Sequence, residues 1–285
     1  MSRNYAIEPG KKYQIGDVTL EAIRDGGIRR RAPEEVAPGL EDVLKRNADA
    51  LEWLYPVFAD AETGALLGCT QSFLIKSRGE KILVDTGIHV PGTSYDQELA
   101  AAGCTYQDVD YVLFTHLHDD HIARNCVLGK RGGWKPNFPN ARYLFYEENY
   151  EFVKASQDDP LGSFRTQLLP LVEQGLVDFI DEDFTLHDVI RVCPLPGHMP
   201  GHIGMTIRSG DASAIIAGDL FLHVFQMTLL DWSAPWGDGP EGSRKTRKSL
   251  LAALANTDTL FWTCHSTSGG FVVANPDGSY RLIAH

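Results

Sequence analysis

Residues 115–121 read Thr-His-Leu-His-Asp-Asp-His, so three of the chain's ten histidines and two aspartates fall within six consecutive positions. Imidazole nitrogen and carboxylate oxygen together are the donor set that zinc takes and that Mn, Fe or Co also accept. The run before the cluster, YVLFTH (111–116), is an apolar strand. On a strand, residues i and i+2 face the same way. His116 and His118 therefore point together if the extended geometry persists for two more residues. Asp120 and His121 then follow at the turn into a helix. Asp119 faces away from them and reads as a solvated or helix N-terminal charge.

Other metal-capable residues end other strands. PGHMPGH (196–202) follows the strand-like IRVCPL, and either His198 or His202 could ligate. Its glycines permit tight backbone turns. Asp219 ends AIIAGD, and its two carboxylate oxygens could bridge two ions. His265 ends TLFWTCH. Cys264, its neighbour, points to the opposite face of that strand and reads as core. Ligands placed at the ends of several strands converge at one end of a sheet. His89, His187 and His285 have no partner at ligand spacing and read as structural or exposed.

The elements that position these residues are α/β (α+β) in pattern. QSFLIKSRGEKILVDTG (71–87) reads as a hairpin turning at Arg78–Gly79–Glu80, and GMTIRSGDASAIIAGD (204–219) repeats the plan, turning at Ser209–Gly210–Asp211. ARYLFY (141–146) and IRVCPL (190–195) are further strands. Helices are expected at SYDQELAAAG, EENYEFVKA, FRTQLLPLVEQG and EGSRKTRKSLLAALANT. Strands interleaved with helices imply a layered fold. Residues 29–68 carry Pro33, Pro38 and Pro56 and a helical stretch over 40–54, and read as an insertion draped over the sheet. No linker divides the chain, so one domain over 1–285 is expected.

Bulk composition narrows the partners. The chain has 285 residues, 43% hydrophobic, which suffices for a sizeable core. With 26 Lys plus Arg against 38 Asp plus Glu, the formal charge is −12. That balance disfavours nucleic acid and anionic membrane surfaces. No apolar run reaches transmembrane length and no leader pattern is visible. The five cysteines are odd in number and widely spaced, as for reduced core thiols in a cytoplasmic protein.

THLHDDH, PGHMPGH, AGD and CH, in this order and with ILVDTG (82–87) ahead of them, resemble the metallo-β-lactamase superfamily. The resemblance runs from about residue 71 to 266. It implies an αββα sandwich, two mixed sheets flanked by helices, holding two divalent metal ions. His116, His118 and His198 would hold the first ion. Asp120, His121 and His265 would hold the second, with Asp219 between them. His202 would stand behind the ligands, and Asp85 would orient them. A Cys at position 219 would resemble true β-lactamases, and a Glu at 118 the diiron, flavin-partnered oxidoreductases. Neither is present.

A narrower resemblance, through FPNARYLF (138–145), GDLFLHVFQ (218–226) and the late basic helix RKTRKSLLAALANTDTL, is to quorum-quenching lactonases and methyl-parathion-type hydrolases. The chain departs from that branch. IARN (122–125) replaces a glycine-rich stretch, STSGG (266–270) replaces a Phe-containing run, and Phe221, Leu222 and His223 stand where the lactonases have a tyrosine.

The expected function is hydrolysis of a lactone or carboxylic ester by a hydroxide that two metal ions activate, with Asp120 and Asp219 catalytic. Phosphotriester and thioester hydrolysis are the alternatives. The expected substrate is a small, apolar ester or lactone. Its pocket would be walled by WLYPVF (53–58), LLG (66–68), Trp134, Phe138 and FLHVFQMTLLDW (221–232). His223 reads either as a substrate contact or as an ordinary hydrogen-bonded histidine. The aromatics of 40–67 and 221–236 suggest a homodimer that covers them.

Overall fold

Hydrophobic alternation in two successive runs of strands sets the architecture. In the computed structural model of the chain, which describes residues 5–88, 92–156, 159, 161–234 and 240–285, each run forms one mixed sheet. The first sheet has eight strands: β1 (Ala6–Glu8), β2 (Lys12–Ile15), β3 (Val18–Arg24), β4 (Gln71–Ser77), β5 (Glu80–Val84), β6 (Tyr111–Leu113), β7 (Arg142–Tyr146) and β8 (Val177–Ile180). The second has seven: β9 (Thr185–Leu186), β10 (Ile190–Pro194), β11 (Ile203–Ser209), β12 (Ala212–Ile216), β13 (Thr259–Trp262), β14 (Gly270–Ala274) and β15 (Tyr280–Ala284). In both, spatial order follows chain order. Pairing is antiparallel from β1 to β5 and parallel from β5 to β8. In the second sheet only β12 and β13 run parallel.

Strands buried on both faces read as continuous apolar runs whose alternate residues enter different layers. On β4, Phe73 and Ile75 enter the core between the sheets, while Leu74 faces outward. On β5, Ile82 and Val84 face inward and Leu83 outward. On β13, Leu260 and Trp262 face inward and Phe261 outward. Helices cover both outer faces: α1 (Pro33–Val36), α2 (Leu40–Arg46), α3 (Tyr95–Ala101), α4 (Asp119–Ile122), α5 (Glu147–Ala155), α6 (Leu169–Glu173) and α7 (Pro240–Leu254). Tyr95, Leu99, Tyr150 and Leu171 pack on the first sheet, and Leu40 and Leu251 on the second. The αββα expectation is met.

Residues 29–68 contribute to the second outer layer. Arg29–Arg31 pairs antiparallel with Leu66–Gly68, and Leu40, Leu51, Leu54 and Phe58 share a core with Ile215 and Phe261. The helix expected over 40–54 is broken. Asn47 ends α2, its side chain bonding the Val43 carbonyl at 2.8 Å, and a 3₁₀ turn follows over Asp49–Leu54. The helix expected at 164–175 opens as a π turn, Phe164–Leu168, before α6, where Pro170 has no N–H to donate. β1–β3, β8, β9 and the hairpin β14–β15 were not read from the sequence. Tyr13, Ile15, Val18, Leu20 and Ala22 carried a strand-like alternation there and now line the inter-sheet core.

Most of the described aromatics that suggested a dimer are wholly or partly covered by the chain itself. Leu54, Phe58 and Phe225 are buried, and Trp53 and Trp232 pack against the second outer core. Tyr55 alone of that set is exposed among the described residues, while Trp236, like His89, lies outside them. All five cysteines are free. No described helix is long and apolar enough to cross a membrane.

One buried ion pair ties the first sheet to the turn after α4. Asp25, just past β3, accepts from both terminal nitrogens of Arg124, and both residues are under 5% exposed. The Arg124 guanidinium also lies 4.2 Å from the Tyr95 ring centroid. Burial works against the Asp25 charge. The Arg124 and Thr93 hydrogen bonds outweigh it, and the carboxyl pKa lies below its usual value. A carboxylate with a depressed folded pKa stabilises the fold above its unfolded pKa, and that contribution fades as pH falls through the folded value. Asp25→Asn leaves Arg124 without its counter-charge. Urea denaturation at pH 7 is expected to show a loss of about 3–5 kcal/mol. The difference from the wild type should shrink below about pH 4.

Candidate metal centre

The short strand β6 ends at Leu113, and the chain then bends at Thr115 and reaches His118, whose backbone is extended, before entering α4. Rings of His116 and His118 project to one side and meet His198. Their nitrogens form a close triangle: His116 Nε2 to His118 Nδ1 at 3.0 Å, His198 Nε2 to His118 Nδ1 at 3.0 Å, and His198 Nε2 to His116 Nε2 at 3.2 Å. Nitrogens bound to one zinc at about 2.0–2.1 Å sit about this far apart.

A second set lies beside it. His121 Nε2 is 3.6 Å from Asp120 Oδ1 and 3.3 Å from Asp219 Oδ2. His265 Nε2 is 3.6 Å from Asp120 Oδ2 and 2.9 Å from Asp219 Oδ2. Asp219 Oδ2 is also 3.9 Å from both His116 Nε2 and His198 Nε2. All seven residues singled out from the sequence are thus brought together, in two groups able to hold an ion each. Asp119 opens α4 outside both groups, though it lines the same cavity.

The donor set fits cations. His121 Nε2 and Asp219 Oδ1 are buried with no hydrogen-bond partner among the described residues, an arrangement costing about 1–3 kcal/mol per atom unless something completes it. Burial holds His116 well below the usual histidine pKa and His198 down to about 3, so both nitrogens stay free to donate electrons. Burial also opposes charge on His121 and His265. Asp219 and Asp120 outweigh it, raising His121 well above its usual value and His265 to about 9. Burial likewise opposes the Asp219 charge, but His265 and His121 hold its pKa well below the carboxylate range. Protons on the second group stand where a cation would neutralise the same carboxylates.

Supporting hydrogen bonds fix the outward nitrogens. Asp85, 1% exposed, ends the β5 run at a φ of 60°. Its carboxylate accepts from Thr115 N and Oγ1 at 2.8 Å, from His121 Nδ1 at 2.8 Å and from Cys264 Sγ at 3.3 Å. His265 Nδ1 donates to the Cys69 carbonyl at 2.9 Å. Such partners set tautomer and ring orientation.

PGHMPGH resolves by the same criterion. His202 Nδ1 donates to the Leu195 carbonyl at 2.8 Å, and its Nε2 accepts from Asp219 N–H at 3.0 Å. Both nitrogens are occupied by protein, whereas His198 Nε2 faces the histidine triangle. Glycines supply the clearance. A Cβ at Gly197 would lie 2.1 Å from Ser243 N on α7, and one at Gly218 2.5 Å from His202 Nε2.

Three contributors escaped the sequence reading. Asn149 on α5 accepts from Leu117 N at 2.9 Å and donates to the Pro200 carbonyl at 2.6 Å, joining the two histidine loops. Thr86 donates to the His121 carbonyl through N and Oγ1. Arg124, within the IARN departure, anchors the chain after α4. Thr86 and Arg124 lie within the quoted ILVDTG and IARN, but nothing local shows the bonds they make, because each acts across chain-distant loops.

The centre opens into a cavity of about 700 Å³. The expected aromatic wall is absent. Among the described residues no Phe, Tyr or Trp lines it; Phe138 is wholly in the core and Trp134 packs on the first outer core. Only Leu66 and Gly68, and Leu222, His223 and Gln226 of 221–232, reach it from the expected segments. His223 is held on both sides. Its Nε2 donates to the Phe58 carbonyl at 3.0 Å and its Nδ1 accepts from Phe225 N–H at 3.2 Å, so it fastens the insertion to the turn after Asp219.

Residues 68–265 match the family model described as the metallo-beta-lactamase superfamily. The chain belongs to that superfamily. No curated protein sequence matches it. Among solved structures, it is similar to AbOPH, a hydrolase in the beta-lactamase superfamily, at 22% identity and TM-score 0.76, covering 96% of this chain and 97% of that one. It is also similar to AidC, a dizinc quorum-quenching lactonase in complex with a product, at 22% identity and TM-score 0.75, with the same coverage. A third likeness is to an AiiA mutant of B. thuringiensis with N-decanoyl-L-homoserine bound, at 18% identity and TM-score 0.56, covering 90% and 93%. At these identities the likeness is one of fold.

Zinc titration of metal-depleted variants checks the assignment within PGHMPGH. His198→Ala is expected to lose about one ion of uptake per chain. His202→Ala is expected to keep zinc uptake but melt earlier, with the Asp219 N–H and Leu195 carbonyl left without partners. Reversed uptake would exchange the two roles.

Proposed function

We propose that this chain is a dinuclear metal-dependent hydrolase acting on a lactone or carboxylic ester. The observation that carries the reading is the position of Asp219 Oδ2, within 2.9–3.9 Å of nitrogens in both donor groups. One carboxylate shared by two nitrogen sets is what a pair of adjacent dications requires. His116, His118 and His198 would hold one ion; Asp120, His121 and His265 the other; Asp219 both. The nitrogen and carboxylate donors favour zinc, with Mn, Fe or Co as substitutes. Likeness of fold to AidC, described as a dizinc lactonase, supports the substrate class.

When bound, such a pair supplies Lewis-acid polarisation of the scissile carbonyl and activation of the attacking water. The remaining work belongs to the protein. Asp219 sets the separation of the two groups, and His202 holds the Asp219 backbone N–H in place. Asp85 keeps His121 turned so that Nε2, not Nδ1, faces the centre. Asp120, about a third exposed to the cavity, is the carboxylate placed to carry a proton from the attacking water to the leaving alkoxide. Asp120 and Asp219 are accordingly the catalytic carboxylates.

Turnover of the zinc-loaded protein across lactones, aryl esters, thioesters and phosphotriesters tests the reaction class, with lactones or aryl esters expected to lead. Asp219→Asn tests the shared carboxylate. The amide lacks the charge that two close dications need. Turnover should fall roughly 100-fold or more, with zinc content reduced and circular dichroism native-like. Near-normal turnover with full zinc content in that variant would remove the two-metal reading.

A further inference from the structure

The cavity's charge disagrees with an apolar ligand. In a chain of net charge −12, three arginines, Arg29, Arg31 and Arg247, line the cavity beside the metal centre. The carboxylates that line it are Asp119, Asp120 and Asp219. Two of these belong to the metal-capable groups, which leaves Asp119 against three guanidinium ions. Among the described residues no ion pair joins any of the three arginines to a carboxylate. The contrast with Arg30 is informative. It points to the other side of the same strand and pairs with Asp60 at 3.0 Å.

Alternation explains the split. Arg29–Arg31 is a strand of the small ribbon with Leu66–Gly68, so Arg29 and Arg31 share one face and Arg30 takes the other. The ribbon is registered on the site. Arg29 is the partner of Gly68, and the next residue, Cys69, exchanges hydrogen bonds with His265 through its N–H and carbonyl. Arg29 Nη2 donates to Thr70 Oγ1 at 2.6 Å, and Thr70 also lines the cavity. A guanidinium has five N–H donors, so most of those on Arg29 remain for a ligand. Arg247, 3% exposed, gives its terminal nitrogens to the carbonyls of Leu220 and Trp232 and to Ser233 Oγ, and so adds charge to the wall rather than an open contact.

We propose that the substrate carries a carboxylate in addition to its scissile ester or lactone, and that Arg29 and Arg31 receive it on the His265 side of the cavity. This deepens the hydrolase reading and rests on it. The same arginines select against neutral acyl chains, because a ligand without an anion leaves the half-buried Arg29 unmatched and gains nothing from the exposed Arg31 beside it.

The test compares two esters of similar length on the zinc-loaded protein: mono(4-nitrophenyl) glutarate, an anion, and 4-nitrophenyl pentanoate, which is neutral. The wild type should favour the anion in kcat/KM by about 10- to 100-fold, mainly through KM, and the preference should shrink in high salt. Arg29→Gln and Arg31→Gln should each erode the ratio, the double variant should bring it near unity, and Arg29→Lys should retain part of it. A wild-type ratio at or below one, or a ratio the variants leave intact, overturns the proposal. Calorimetry with monomethyl glutarate and dimethyl glutarate reads the same recognition without turnover. If neither nitrophenyl ester is cleaved but the monoanion binds more tightly and the Gln variants lose that advantage, the hydrolase reading fails and the anion site stands. If the monoanion binds the wild type and the Gln variants equally, the metals alone hold the carboxylate and the proposal fails.

Discussion

The buried carboxylate of Asp85 is the interaction on which the rest of the centre depends. It accepts from the N–H and hydroxyl of Thr115, from His121 Nδ1 and from Cys264 Sγ. Those partners come from the end of the first sheet and from the far end of β13 in the second. An ionised group sealed between two sheets is costly unless hydrogen bonds surround it, and here four donors do. Because each donor is rigidly placed, the carboxylate holds the two sheet ends in register. A left-handed φ of 60° at a non-glycine residue is strained backbone. The surrounding hydrogen bonds hold it, and the strain aims the side chain inward.

Around that anchor the centre is built mostly at strand ends, with only Asp120 and His121 on a helix, the one-turn α4. β6, β12 and β13 stop just short of His116, Asp219 and His265, and the loops carry the ligands past the hydrocarbon core. Loops alone would be mobile, so chain-distant side chains brace them. Asn149 joins the loop of His116 to that of His198, Thr86 holds the turn of His121, and His223 fastens the insertion beside Asp219. The Asp25–Arg124 pair fixes the exit of α4. It also gives a physical reason for the IARN departure from a glycine-rich stretch, since a long cation is needed there to reach Asp25 and the Tyr95 ring.

The cavity combines two electrostatic requirements. The donor groups concentrate negative charge and orphaned polar atoms, which suits cations. The ribbon beside His265 brings Arg29 and Arg31 to the same cavity, which suits an anion. Aromatic side chains that could have made the cavity apolar are drawn instead into the outer core, where Phe58, Phe225 and Phe261 pack together with the insertion. The insertion therefore contributes charge to the cavity through Arg29 and Arg31 and bulk to the core through Leu40, Leu51, Leu54 and Phe58.

The sequence by itself determined the layered class, the superfamily resemblance and most of the candidate donor residues, because these rest on local facts. Strand alternation, short ligand spacing and the identity of a residue at a strand end are all written in consecutive positions. It left β1–β3, β8, β9 and the β14–β15 hairpin unread, although the alternation of β2 and β3 was present. Nothing local could choose between His198 and His202, which lie in one motif with similar neighbours. Tertiary structure distinguishes them by occupying both ring nitrogens of His202 with Leu195 and Asp219 and leaving His198 Nε2 in the histidine triangle. It decided the cavity wall for a related reason. An aromatic residue and an arginine in an irregular segment can each face core or solvent, and only the pairing of Arg29–Arg31 with Leu66–Gly68 sets which face each takes. Burial of apolar surface drew the rings inward and left the guanidinium groups at the cavity.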